Sequence, residues 1–163
     1  MTVDELAEYG MERMDDDDIV SFLSTRSFGV LGLSTEATPY LIPMSYGFDG
    51  ESRLYFGYVV GSESRKADLS ERAGAASFLV YNAETMFHWR SVLATGSLRA
   101  LPPDETSSAT AVEGPMWRPE LLETASEEAG NQYYELQIEE WTGIRHAIEP
   151  PSFTQRSSPD RSE

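Results

Sequence analysis

A small group of polar and cationic side chains, Ser62, Ser64, Arg65 and Lys66, follows the hydrophobic segment 54–60. Lys66 is the only lysine of the chain, which carries 28 acidic and 12 basic side chains. A phosphate monoester is bound by several hydrogen-bond donors and one or two cations in a fixed arrangement, and a helix N-terminus adds N–H donors. The segment has the residue types of a phosphate site. Pairing of both cations with surface carboxylates is the simpler alternative.

Two further segments have residues suited to contact a ring-shaped ligand. Pro43 lies inside a predicted strand, which indicates an edge strand or a bend whose backbone groups are free to bond a ligand. The segment 88–92, HWRSV, brings an imidazole, an indole, a guanidinium and a hydroxyl to the start of another strand. For Trp89 a core or interface position, and for Arg90 a surface ion pair, are the competing interpretations.

Other chemistries are disfavoured by the sequence. His88 and His146 are 58 positions apart in the chain, and cysteine is absent, so a metal site built on the two histidines is not indicated. Neither a GxxxxGK[ST] phosphate loop nor a serine nucleophile elbow is present. The GVLGL segment is not a dinucleotide-binding motif.

The composition predicts one soluble, cytoplasmic domain. Hydrophobic residues make up 40% of the 163 residues, enough for one continuous core, and no apolar run approaches the roughly 18 residues of a membrane span. We expect residues 1–149 to form this domain and residues 150–163 to form a flexible tail.

The net charge of −16 disfavours binding to nucleic acid and to anionic membranes. Self-repulsion of this size is screened in concentrated salt, where the Debye length falls to roughly 3 Å at 1 M. The charge therefore predicts a salt-adapted, haloarchaeal-like protein, with an ordinary acidic bacterial protein as the alternative.

Short strands separated by turn residues dominate the predicted secondary structure. The pattern predicts strands at 28–33, 40–46, 54–58, 75–82 and 91–101, followed by one strand or a strand pair within 131–150. Helices are predicted at 16–24, 64–72 and 118–130, a hairpin turn at Asp49-Gly50, and a loop or short helix at 102–115. The strands lie too close together for crossover helices, so the fold class is mainly β, a six- to seven-stranded antiparallel split or closed barrel.

The order of four motifs resembles a known superfamily. GVLGL, PYLIPMSY, DGESRLYF and GSESRK follow one another with the spacing seen in the FMN-binding split-barrel superfamily, which includes pyridoxamine 5′-phosphate oxidase and nitroimidazole-reductase-like proteins. The resemblance extends over residues 28–99 and more loosely to WTGIRH in the last strand. It implies a split barrel, FMN as the cofactor, and a homodimer with FMN at the subunit interface.

The resemblance also implies roles for individual residues. Ser62 and Lys66, assisted by Arg65 or Ser64, would hold the FMN phosphate, and the backbone of 43–45 would contact the isoalloxazine ring. The residues implied to contact the cofactor are Pro43, Met44, Ser45, Tyr55, Phe56, Gly57, Ser62, Ser64, Arg65, Lys66, Ser91, Val92 and Trp141. Candidates for a contribution from the second subunit are Trp141, Arg145 and Trp117.

Three functions are compatible with this pattern. The first is an FMN-dependent oxidoreductase that passes hydride or electrons to a small acceptor such as a nitroaromatic, a quinone or a flavin. The second is a module that stores, senses or carries flavin without turnover. The third is a haem- or deazaflavin-binding member of the fold, with His88 or His146 as an axial ligand to haem. The chain lacks the basic C-terminal ending of pyridoxamine 5′-phosphate oxidases, which argues against vitamin B6 oxidation.

Overall fold

A computed structural model describes residues 2–59, 65–107, 109 and 131–148. The helices whose bounds the structure defines are a 3-10 helix, Asp4–Tyr9, and the α-helices α1 (Asp16–Thr25) and α2 (Arg65–Ala73). The strands are β1 (Met11–Arg13), β2 (Phe28–Leu33), β3 (Tyr40–Ser45), β4 (Gly47–Phe48), β5 (Arg53–Val59), β6 (Ala75–Thr85), β7 (His88–Ala100) and β8 (Asn131–Ala147).

Helix α1 begins at a run of aspartates because these residues suit a helix N-terminus. The carboxylate of Asp15 accepts a hydrogen bond of 2.8 Å from the backbone N–H of Asp18, which caps the first turn. The acidic first turn also complements the helix dipole. Ile19, Phe22 and Leu23 form the buried face. The predicted helix at 16–24 is therefore confirmed.

The predicted hairpin turn between β4 and β5 is organised by Asp49. Its Oδ1 accepts hydrogen bonds from the backbone N–H groups of Glu51, Ser52 and Arg53, at 2.8, 2.9 and 3.0 Å. Gly50 adopts a φ of +85°, which glycine tolerates without steric cost. The turn places β5 antiparallel to β4.

The strands form one antiparallel sheet in the order β3-β2-β6-β7-β8-β5-β4, with β1 added beside β8. The two ends of this order, β3 and β4, are consecutive in the chain and separated only by Tyr46. The chain therefore joins the two ends of the sheet at this corner and curls the sheet around a core that includes Phe56, Tyr58, Phe78 and Tyr134. The predicted mainly β split barrel is confirmed.

The two helices cover opposite ends of the barrel. Near α1, the buried Tyr46 hydroxyl donates to the Leu23 carbonyl at 2.7 Å. Helix α2 lies at the other end, where the side chain of its first residue, Arg65, contacts Tyr40 at the start of β3. The six residues of β3 thus span the distance between the helices.

The N-terminal segment contains structure that the sequence pattern did not indicate. Strand β1 pairs with the end of β8, with Met11 opposite His146 and Arg13 opposite Ile144. An ion pair of 2.9 Å between Arg145 and Glu12 also holds β1 against β8. A strand of three residues is too short to show periodicity, so β1 was missed.

Other predictions differ in detail or lie outside the described residues. The described residues contain eight strands when β1 and the two-residue β4 are counted, and 131–147 forms one long strand, the first of the two predicted alternatives. In the predicted loop or helix at 102–115, Thr106, Ser107 and Ala109 are helical. The predicted helix at 118–130 and the tail 150–163 lie outside the described residues, and the domain limits stay a prediction.

Gly96 marks an irregularity where β7 and β8 change register. A Cβ added there would overlap the Gln137 carbonyl oxygen, whereas a Cβ at Gly32 would have Leu41 Cδ2 as its nearest neighbour, 3.4 Å away. Gly96→Ala is expected to lower the free energy of unfolding by at least about 2 kcal/mol because backbone must move. Gly32→Ala is the matched control and should be nearly neutral. Urea denaturation measures both, and equal stabilities would contradict the packing described for Gly96.

Candidate functional site

The split in the barrel lies between β3 and β5. Pairing of β4 with β5 extends no further along β5 than Tyr55, opposite Gly47. Beyond this pair, residues 40–44 of β3 have no strand partner on their second edge among the described residues. Strands β3 and β5 therefore form the two sides of an opening, and α2 follows β5 in the chain.

The first two residues of α2 place a cation on each side of this opening. The guanidinium carbon of Arg65 lies 4.8 Å from the ring centroid of Tyr40, on β3. The Lys66 ammonium nitrogen lies 4.7 Å from the ring centroid of Tyr58, near the end of β5. Each distance is within the range of a cation–π interaction. Arg65 and Lys66, which we call the cation pair, are thus each held by an aromatic ring.

The cation pair is not neutralised by carboxylates in the described part of the chain. Salt bridges are formed there by Arg13, Arg53, Arg72, Arg99 and Arg145, but not by Arg65 or Lys66. Partial burial lowers the pKa of Lys66 below the ordinary lysine value, because removal from water disfavours the ammonium form. Simple pairing with surface carboxylates therefore does not explain these two cations within the described segments.

Tyr58 is fixed beneath Lys66 by contacts on several sides. Its ring is buried and stacks on Tyr134, with the centroids 4.4 Å apart. Its hydroxyl lies 2.9 Å from the hydroxyl of Ser70, which is also buried. Burial raises the pKa of Tyr58 to about 12, so the phenol stays neutral. The Tyr134 hydroxyl in turn donates to the Ala67 carbonyl at 3.5 Å, which links α2 to β8.

The predicted ring-contacting residues on β3 lie beside the opening. Pro43 is exposed, Ser45 is half-buried, and the Met44 side chain is buried in the barrel core. Pro43 pairs with Val30 on β2, at the edge of the sheet as its presence in a strand predicted. The three residues are therefore placed to contact a ligand through backbone groups more than through side chains.

The predicted residues on β5 separate into two environments. Phe56 is fully buried in the barrel core, with its ring 4.9 Å from that of Phe78. Tyr55 points to the other face of the sheet and packs with Leu101 and Ala109. Gly57 pairs with Tyr133 on β8. The side chains of Tyr55 and Phe56 therefore do not face the cation pair, and this segment approaches the pair only through its backbone.

The predicted residues on β7 and β8 lie far from the cation pair in the same chain. Strand β7 contacts α2, but Val92 and Ser91 lie eight and nine residues before Ala100, which is opposite Tyr134, or about 26–30 Å along the strand. Val92 is buried opposite Gly143, and Ser91 lies opposite Ile144. Trp141 is seven residues along β8 from Tyr134, or about 23 Å. One chain therefore does not bring these residues to the cation pair.

Trp141 and Arg145 are held by acidic residues of the N-terminal region. The indole N–H of Trp141 donates to Asp16 at 2.9 Å. Arg145 forms ion pairs with Glu12 at 2.9 Å and Asp18 at 3.0 Å, and the hydrogen bond to Glu12 contributes most to raising its pKa. Ser62, Ser64 and Trp117, the other predicted residues, lie outside the described residues.

Neither histidine is part of a cluster of potential metal ligands. His88 Nδ1 lies 3.0 Å from a carboxylate oxygen of Glu84. His146 donates through Nε2 to the Tyr9 carbonyl at 2.8 Å and stacks on Trp89. In the parts of the chain that the structure describes, no three His, Cys, Asp or Glu residues come together to hold a metal ion. None of the described helices has the length and apolarity to cross a membrane.

The side of the sheet that faces away from the core is apolar across four strands. Pro43, Val30, Leu79 and Leu93 follow one another in register on β3, β2, β6 and β7. Nearby apolar side chains are well exposed, with exposed fractions of 60% for Phe28, 65% for Leu41 and 59% for Tyr81. We call this surface the outer face. Such a continuous apolar patch is typical of an interaction site.

A groove of about 420 Å³ lies on the outer face at the β6–β7 hairpin. Tyr81, Trp89 and Ser91 are among its lining residues. Trp89 is therefore half-buried at the edge of this groove rather than in the barrel core.

The sequence pattern indicated the cation pair but not the residues that hold it. Tyr40, Tyr58, Ser70 and Tyr134 come from four different elements and meet only because of the sheet topology. One local signal was available, since Ser70 follows Lys66 by four residues and so lies on the same helix face. A polar residue on the buried face of a short helix requires a polar partner, which here is Tyr58.

The curled antiparallel sheet, split between β3 and β5, defines the protein as a split barrel. The family model for pyridoxamine 5′-phosphate oxidase matches residues 15–145, and the chain belongs to this family. Comparison with curated proteins gave no match.

Solved structures of the same fold are similar over most of the chain. A FAD-binding protein from Mesorhizobium loti is 19% identical, with a TM-score of 0.66, over 84% of this chain and 99% of that one. A FAD-binding protein from Mycobacterium smegmatis is 12% identical, with a TM-score of 0.66, over 85% and 100%. A FAD- and haem-binding protein from the same organism is 15% identical, with a TM-score of 0.63, over 86% and 74%.

The partial burial of Lys66 predicts a cost in stability at neutral pH. Because its folded-state pKa lies below the ordinary value near 10.5, the unfolded chain binds more protons between these two pH values, and stability rises with pH in that window. Lys66→Met should therefore raise the free energy of unfolding at pH 7, by an amount that shrinks as the pH approaches 10.5.

Urea denaturation from pH 7 to 10.5 measures this effect. Arg72→Met is the matched control, because Arg72 lies on the same helix but is exposed and paired with Asp68. A stabilisation by Lys66→Met that is the same at all pH values would contradict the burial of a charged amine.

Proposed function

We propose that the protein binds FMN and that the cation pair holds the FMN phosphate. The observation that carries this proposal is the position of two cations without carboxylate partners among the described residues, at the mouth of the split, in a chain of net charge −16. A terminal phosphate carries close to two negative charges at neutral pH, which these cations match. Ser62 and Ser64 would supply hydroxyl donors.

The isoalloxazine ring would lie along β3. Residues 43–45 are next to the opening, and the second edge of 40–44 has no strand partner among the described residues, so backbone groups there are available to bond a planar ring. Pro43 lacks an N–H, which interrupts any strand that would add to this edge. Gly57, opposite on β5, would lead the ligand toward the cation pair.

FMN is preferred to FAD because the described residues beside the split offer one pair of cations, which matches a single terminal phosphate. FMN ends in a single phosphate, whereas the phosphates of FAD lie between the ring system and an adenosine that needs its own binding surface. FAD is the competing ligand, because two of the solved structures of the same fold are FAD-binding proteins. Family membership supports a flavin in either case.

A bound flavin would supply hydride or electron transfer, and the protein would bind and orient it. The described residues beside the opening include no histidine or carboxylate placed as a general acid or base. This arrangement favours an oxidoreductase whose chemistry resides in the flavin and whose acceptor is a small molecule such as a nitroaromatic, a quinone or a second flavin.

We further propose that the outer face forms a homodimer interface that completes the flavin site. The predicted residues on β7 and β8 are too far from the cation pair to act in the same chain, and a second copy would bring such residues close. A dimer through the outer face would bring the groove that is lined by Tyr81, Trp89 and Ser91 close to the flavin site of the other copy. Trp141 and Arg145 face α1 instead, and their side chains are already bonded there.

A monomer in sedimentation equilibrium at every salt concentration would contradict the proposed dimer.

Removal of the lysine charge tests the phosphate assignment. Lys66→Ala should weaken FMN binding by about 1–3 kcal/mol, the scale of a lost charge-assisted hydrogen bond, because the phosphate loses one cation. Arg72→Ala is the matched control, since it removes one positive charge from the exposed part of the same helix. Titrations at matched salt, followed by flavin fluorescence, measure both variants.

The same titrations with FAD and riboflavin identify the ligand. Riboflavin lacks the phosphate, so its affinity should be lower than that of FMN and should not change in Lys66→Ala. Equal losses for riboflavin and FMN, or for Lys66→Ala and Arg72→Ala, would contradict phosphate binding by Lys66. Tighter binding of FAD than of FMN would identify FAD, and not FMN, as the ligand.

Turnover separates an enzyme from a flavin carrier. The flavin-loaded protein is expected to be reduced by NADH or NADPH and to be reoxidised faster when a quinone or nitroaromatic is added. Stopped-flow absorbance of the flavin measures both half-reactions, with free FMN at equal concentration as the control. Bound flavin that no donor reduces would instead support a storage or sensing module, and a Soret band in the purified protein would support haem.

A further inference from the structure

We propose that Tyr58 is a positioning residue for the anion site: its ring holds the Lys66 ammonium at the mouth of the split, and its hydroxyl, through Ser70, fixes that ring relative to α2. The consequence for flavin affinity rests on the proposed function. The position of Lys66 over Tyr58 does not, and it is measurable in the protein without flavin.

The ring of Tyr58 is an immobile support. It is fully buried and stacks on Tyr134 with the centroids 4.4 Å apart, so packing on both sides fixes the plane in which the ring lies. The Lys66 nitrogen lies 4.7 Å from the ring centroid. A lysine side chain has large rotamer freedom, and holding the ammonium in place before the ligand arrives reduces the entropy lost on binding.

The ring also favours the charged form of the amine. Partial burial alone favours the neutral amine, as the lowered pKa of Lys66 reflects. The negative face of an aromatic ring attracts a cation and offsets part of this cost. Arg65 over Tyr40 repeats the arrangement on the other side of the split. Each of the two cations is thus held by its own ring, and the two rings lie on different strands.

The Tyr58 hydroxyl determines how α2 is seated on the barrel. Its partner Ser70 is only 2% exposed and lies one helical turn after Lys66. Two buried hydroxyls 2.9 Å apart satisfy each other only in one orientation of the helix, because leaving either unpaired costs free energy. A rotation of α2 that moved Lys66 away from the ring would break this bond.

The single lysine makes the contact directly measurable. Reductive methylation with 13C-formaldehyde labels Lys66 and the α-amine of the chain, and Lys66→Arg identifies the lysine signal by its loss. Methyl groups above an aromatic face are shielded by the ring current. The wild-type signal is therefore expected upfield of its position in the same protein unfolded in urea, and inorganic phosphate or FMN should shift it further.

Variants separate the ring from the hydroxyl. Tyr58→Leu removes the ring and should abolish the upfield shift and weaken FMN binding about tenfold. Tyr58→Phe and Ser70→Ala keep the ring but lose the hydroxyl pair, so each should reduce the shift partially and to a similar extent. Phe78→Leu is the control for lost core packing, because Phe78 is equally buried but does not contact Lys66; it should keep the full shift.

Three results would overturn the proposal. An unshifted wild-type signal would mean that Lys66 does not lie over a ring. This result needs only the Lys66→Arg assignment and no change at Tyr58, so it decides the matter even if Tyr58→Leu fails to fold. A full shift in Tyr58→Leu would exclude Tyr58 as the ring. A full shift in both Tyr58→Phe and Ser70→Ala would exclude the role of the hydroxyl. A normal shift pattern together with unchanged FMN affinity in Lys66→Ala would contradict the proposed function and leave the contact intact.

Discussion

The passage of the chain through Tyr46 is the constraint on which the rest of the structure depends. This one residue connects the two ends of the sheet order, β3 and β4. Its ring packs against Phe78 with the centroids 5.2 Å apart, and its hydroxyl bonds to Leu23 of α1. Because the described residues join the two ends of the sheet at this corner alone, β3 and β5 have no pairing beyond it. The split, the exposed edge of β3 and the position of α2 all follow from this geometry.

The cation pair is best understood against the charge of the whole chain. An excess of acidic residues favours ion pairs for the few arginines, and most of those in the described segments are paired. Arg65 and Lys66 are instead supported by aromatic rings, which bind a cation without neutralising it. Among the described residues neither cation has a carboxylate partner, and partial burial disfavours the charged form of Lys66, a cost expected of a functional rather than a structural feature. Their charge therefore remains available to an anionic ligand.

Much of the fold was predictable because local patterns determine it. The alternation of residues in 28–33 gave β2 with its observed bounds, and the aspartates before Ile19 indicated the start of α1. The Asp49-Gly50 turn was evident because both residues have special conformational roles. Strand β1 was not predictable, since three residues carry no periodicity and the pairing with β8 depends on residues more than 130 positions away.

The candidate site was predictable only in part for the same reason. The lysine stands out by composition, and its place after the DG turn and PMSY pointed to a phosphate site through a family resemblance. The supporting ring of Tyr58 could not be assigned, because Tyr58, Ser70 and Tyr134 meet through tertiary packing alone. The outer face likewise appears only when Val30, Leu79 and Leu93 are brought into register.

The 31P resonance of FMN in the presence of the protein tests the central claim most directly. A free phosphate monoester takes up its second proton near pH 6, and its resonance moves with pH accordingly. Bound between Arg65 and Lys66, the phosphate should stay dianionic, so its resonance should be displaced from that of free FMN and nearly constant between about pH 5 and 8. A resonance that titrates like free FMN under conditions where the flavin ring is bound would contradict the account.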